Sequence, residues 1–179
     1  MEGEEFYEKT LIILGVVLIG AAAYFLINEP GKDRVTIKKT NRPTENSGKA
    51  PILTIEEDRD VPVEEEFPAS MDQLEVENAI HDMSHQKVRA EDKWGFLPMT
   101  QDRVERLTEV VEKNKKKYGK NADVYLDILQ RWSNDDFSAV DQDHNTIWDM
   151  QGGTVGKATG ILTIEQEQEF IRKHYKTNE

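Results

Sequence analysis

The 179-residue chain contains no cysteine. Disulfides, thiolate zinc sites and cysteine nucleophiles are therefore excluded together. Positive charge is scarce, with 23 Lys and Arg against 35 Asp and Glu and a formal charge of -12. Such a balance repels a polyanion, which excludes nucleic acid as a partner. None of the serines stands in a G-x-S-x-G nucleophile elbow. The glycine-rich stretch 152–160 fails as a phosphate loop, because Gln151 stands where the first glycine belongs and Ala158 where a hydroxyl must follow Lys157. Asp141, Asp143 and Asn145 begin like a calcium loop, but Thr146 and Gly152 hold the sixth and twelfth places, which require glycine and glutamate.

Mean hydropathy is low, at -0.70, yet residues 11–27 form an apolar run without a single charge. As a helix it spans about 26 Å, close to the thickness of a bilayer core. The preceding tail, 1–9, is acidic, the wrong sign for the n-region of a secretory signal. The expected organisation is thus an acidic tail at 1–9, a single-pass transmembrane helix at 10–27, a linker at 28–69 and a domain at 70–179. Lys32, Arg34, Lys38, Lys39 and Arg42 follow the run closely. By flanking charge the large C-terminal part is cytoplasmic, at the cell membrane. The same basic stretch, 32–42, is expected to lie on anionic lipid headgroups.

Residues 28–69 hold five of the six prolines, and their charge changes sign, from six basic and three acidic residues over 28–49 to one basic and seven acidic over 50–69. Little apolar periodicity accompanies this, so the segment reads as a disordered, Pro- and charge-rich linker, with a short strand at 52–55 as the alternative.

From residue 70 the apolar period becomes helical. Ser70 with Gln73 makes a capping box before Val76, Ala79, Ile80 and Met83. A second helix starts at Thr100 and stops at Gly119. A third runs from Asn121 through Trp132, a fourth from about residue 135 to the glycines at 152 and 153, and a fifth opens on the capping box Thr163 and Gln166. The expected fold class is all-α, a small bundle of about five helices. Trp94, Trp132 and Trp148 are expected in its core.

The sharpest chemical motif is His81-Asp82-Met83-Ser84-His85. Histidines at i and i+4 share one helix face, the spacing of two imidazole ligands in a metalloprotease helix, with aspartate here in place of glutamate. His144 supplies a third ligand if its helix packs alongside.

Four stretches, 83–88, 93–96, 136–148 and 152–160, together resemble a family of Bacillus-type membrane-anchored proteins with a C-terminal domain of unknown function, over roughly residues 70–179. The resemblance implies an anchored bacterial protein and carries no catalytic residue or ligand.

Two functions are expected from these features. The first is a non-catalytic, membrane-tethered binding, sensing or scaffolding module without a cofactor. It would meet lipid through 10–27 and 32–42, and a protein partner through Trp94, His144, Asn145, Trp148, Gly152, Gly153 and Lys157. The second is a metal-dependent hydrolase in which His81, His85 and His144 hold zinc and Asp82 is the general base.

Overall fold

A computed structural model describes residues 34–40 and 52–178. Strand β1 (Arg34–Thr40) pairs antiparallel with β2 (Ile52–Asp58). Helix α1 (Val63–Glu66) then leads to α2 (Gln73–Ser84), and β3 (Val88–Arg89) follows. Three helices come next: α3 (Gln101–Lys113), the short α4 (Lys115–Tyr118) and α5 (Asn121–Ser133). Helix α6 (Val140–Met150), β4 (Gly160–Ile161), α7 (Ile164–His174) and β5 (Lys176–Thr177) complete the chain. The strand order is β2-β1-β5 in one sheet and β3-β4 in the other, with β5 parallel to β1.

The fold is therefore mixed, and the all-α expectation is corrected by two small sheets. The cause lies in 34–40 and 52–58, which the linker reading treats as unstructured, apart from a short strand at 52–55 as the alternative. Val35 and Ile37 alternate with polar residues, as do Leu53 and Ile55, and in register they fall on one face of the hairpin. That face meets Ile171 and Tyr175 of the C-terminal segment in a small core of its own, joined by Ile164 and Phe170. The alternation is short and flanked by charge and proline, so composition outweighs a period that tertiary packing uses. Residues 34–40 of the basic stretch are likewise strand, with Lys38 paired to Glu56.

The larger core gathers α2, α3, α5 and α6 around Ile80, Met83, Leu107, Tyr125, Trp132 and Ile147. Of the three tryptophans only Trp132 is buried there. Trp94 is 75% exposed, and Trp148 is half-buried. The first helix also begins later than expected: Asp72, not Ser70, caps it, in a reciprocal capping box with Glu75. Helix α6 starts at Val140, five residues after the expected onset, because Asp135 adopts a positive φ and breaks the helical path. The Thr163–Gln166 capping box opens α7 as read, and Thr100 precedes α3.

Buried polar groups tie the hairpin to the helices. Arg103 of α3 reaches Glu57 of β2 and Glu66 of α1, and donates to the Pro98 carbonyl. Lys87 Nζ donates to the Leu53 carbonyl at 2.9 Å and to Glu167 of α7 at 2.6 Å. Among the described residues no helix is long and apolar enough to cross a membrane. The expected tail at 1–9 and anchor at 10–27 lie outside the described residues.

Candidate metal centre

His81 sits in the last turn of α2 and His85 directly after it in helical geometry, so the two rings share one face, with centroids 4.7 Å apart. Helix α6 packs against α2 and brings in His144, whose ring lies 4.5 Å from that of His81 and 5.3 Å from that of His85. Each residue offers one ring nitrogen, and these three atoms all lie within 4.8 Å of one another. His85 and His144 are almost wholly buried.

Each ring is oriented through its other nitrogen. His85 Nδ1 is 2.8 Å from the Gly95 carbonyl oxygen, which only accepts, so Nδ1 carries the proton. His144 Nδ1 is 3.1 Å from Asn145 Oδ1. That oxygen cannot be exchanged for the amide nitrogen, because it accepts the Ala158 N–H at 2.8 Å while Nδ2 donates to the Ala158 carbonyl at 3.0 Å. His144 is therefore also protonated on Nδ1. His81 Nδ1 lies 2.7 Å from Gln151 Oε1, and the Gln151 amide donates on to Asn78 Oδ1 at 2.8 Å.

The consequence is a cluster of inward-facing lone pairs. His85 and His144 in their neutral forms present bare Nε2 atoms, and His81 Nε2 stands 3.0 Å from that of His144. If His81 also donates through Nδ1, two lone pairs oppose each other unless a proton or a cation stands between them. A proton is disfavoured. Burial lowers the pKa of His81, and burial with repulsion from neighbouring cations holds His85 at about 3 and His144 at about 4. Two imidazole nitrogens on a tetrahedral zinc are about 3.3 Å apart, close to the 3.0 Å between Nε2 of His81 and of His144. A carboxamide or carbonyl behind each ligating imidazole is also how metal sites fix the tautomer.

A cavity of about 270 Å³ opens beside His81 and His85. Asp82 lines it, with its carboxyl pushed up to about 6 by burial. Trp94, Trp148, Gly152 and Gly153, which the sequence reading assigns to a protein-binding surface, also line it, together with Asp92. Asn145 stands behind His144 rather than in the cavity, and Lys157 lies 5.2 Å over the Trp148 ring. Sequence reasoning missed Asn78, Gln151 and Gly95. Asn78 precedes His81 by three residues and shares its helix face, a signal open to inspection. Gly95 and Gln151 carry none, since their roles arise only where the loops fold back. Gly95 has φ +86, and a Cβ there would come within 2.3 Å of Asp82 Oδ1. Only glycine places its carbonyl on His85 in this way.

The fold and site define a small mixed α/β domain built around three histidines. The chain belongs to a family of unknown function, DUF6241, whose profile matches residues 80–172. That span contains all three histidines, both cavity tryptophans and the glycine turn. The family description says nothing of a membrane anchor. No curated protein and no solved structure matches the chain.

Proposed function

We propose that the domain binds one transition-metal ion, zinc by the chemistry of its donors, through Nε2 of His81, His85 and His144, and uses it in hydrolysis. The convergence of three imidazoles, two of them fixed in tautomer by Gly95 and Asn145, beside a cavity lined by His81 and His85 carries this reading. Three protein ligands with a fourth position toward a cleft is the arrangement of catalytic zinc, whereas structural zinc is closed by four. When bound, zinc held by these three residues would supply Lewis acidity and lower the pKa of a water in its open position to about 7. Asp82 lines the same cavity and in this reading would accept a proton there and return it to a leaving group.

Full-length chain freed of metal and dialysed against zinc takes up one ion per molecule, read by elemental analysis, and loses this uptake in His85→Ala and His144→Ala. Absence of stoichiometric zinc from the wild type, with no rise in melting temperature, sinks the metal reading. The catalytic step is separable from it. Asp82→Asn retains the ion and lowers zinc-dependent turnover of an activated ester such as p-nitrophenyl acetate by about 10²-fold or more.

The exposed Trp94 supports a second reading, in which the same metal-bearing domain is a non-catalytic binding module. Equal ester turnover with and without zinc favours it. For either reading, the uncharged run at 11–27 and the basic residues after it support residence at the cell membrane. Recovery of the chain in the supernatant after alkaline extraction of membranes contradicts that.

A further inference from the structure

Beside the histidines, the cavity has walls of an unusual kind. Trp148 Nε1 donates to the Val155 carbonyl at 2.6 Å, and a Cβ on Gly153 would come 2.3 Å from the indole. The ring therefore lies against bare backbone and cannot turn. The loop carrying Trp94 is held close to the glycine turn, since a Cβ on Gly156, at φ +86, would stand 2.6 Å from the Asp92 carbonyl oxygen. Trp94 nevertheless keeps 75% of its surface in solvent. An indole so exposed beside this wall offers a flat apolar surface, with one N–H, that a ligand can cover.

The rest of the lining defines what such a ligand can be. Among the described residues the charged side chains that line the cavity are Asp82 and Asp92, and the Lys157 ammonium lies 5.2 Å over the Trp148 ring. Without metal the two carboxylates disfavour a phosphorylated ligand, and the Lys157 ammonium offsets part of that. A bound divalent cation balances the two carboxylates, so the loaded cleft favours a neutral ligand. Asn78, Gln151 and Thr154 add amide and hydroxyl groups. An aromatic plate beside carboxylates and carboxamides matches a sugar ring, which offers an apolar C–H face on one side and hydroxyls around its edge. The volume of about 270 Å³ holds a single such ring.

We infer that the cleft bounded by Trp94 and Trp148 binds one pyranose unit of a neutral saccharide, placing it against the three-histidine centre. This rests on the metal reading only for the neutrality of the cleft and for what happens to the sugar next.

The test is tryptophan emission of the full chain, zinc-loaded and metal-free, titrated with neutral trisaccharides of β-1,4-linked glucose, N-acetylglucosamine and mannose. At least one gives a saturable blue shift, glucose 6-phosphate does not compete with it, and Trp94→Ala weakens its binding by about tenfold or more. Circular dichroism of that variant is unchanged, because Trp94 is mostly in solvent and belongs to neither core. The inference is overturned if no saccharide gives a saturable shift up to about 10 mM. Equal affinity in Trp94→Ala, or stronger binding of glucose 6-phosphate or of a dipeptide amide, overturns it as well. Saccharide binding by a chain that takes up no zinc leaves this inference standing and removes the hydrolase. Zinc uptake without saccharide binding does the reverse.

Discussion

Asn145 touches no solvent-filled part of the site, yet it determines the state of a ligand. Its carboxamide is held by both backbone groups of Ala158, so Oδ1 always faces His144 Nδ1. Asn145→Ala frees the imidazole to protonate on Nε2, the atom aimed at the metal. Loss of such a partner typically costs about 10- to 100-fold in metal affinity. Zinc titration of Asn145→Ala against a competing chelator should show a fall in that range with the fold intact by circular dichroism. An unchanged affinity refutes the tautomer argument. Asn145→Asp, which keeps an acceptor there, should retain more affinity than the alanine variant.

At the scale of elements, the helices were legible because each carries enough apolar residues at helical spacing to bury a stripe, as α5 does through Tyr125, Ile128, Leu129 and Trp132. The pair His81 and His85 was legible for the same reason. His144 could be named but not placed, since its approach depends on α6 packing beside α2, a contact no local pattern encodes. The hairpin was not legible. Seven residues of alternation in β1 weigh little against the prolines and charges around them, and the deciding contacts come from α7, far along the chain. Those contacts are anchored by Lys87, whose ammonium is buried against Glu167. Glu167→Ala leaves that cation unpaired in the interior, at a cost of about 3–5 kcal/mol. Urea denaturation reads this directly. A double variant with Lys87→Met should recover most of the loss, and failure to do so would show that Glu167 acts through something other than the pair.

For the molecule as a whole, the histidine cluster makes stability depend on pH. In the metal-free chain His85 and His144 have folded pKa values of about 3 and 4, below the 6.5 of the unfolded chain. As pH falls below 6.5 the unfolded state gains protons that the folded state refuses, so folding weakens. Asp82, raised from 3.8 to about 6, acts in the opposite sense between those two values, one proton against two. The net expectation is a melting temperature that drops steadily from pH 7 to pH 4.5 in the metal-free chain. Saturating zinc raises it near neutrality, by about 2.7 kcal/mol of stability at a hundredfold excess over Kd, and this gain fades in acid as protons displace the ion. A melting temperature flat across that range contradicts the burial of neutral imidazoles.

The ion pair between Arg103 and Glu57 bears on where the folding unit begins. The family match starts at residue 80, and the helical pattern at about 70, but Glu57 and the Leu53 carbonyl that receives Lys87 come earlier. A fragment cut at either boundary strips a buried guanidinium and a buried ammonium of partners and bares the apolar face of α7. The shortest piece of this chain suited to expression, crystallisation or metal analysis therefore starts no later than Arg34.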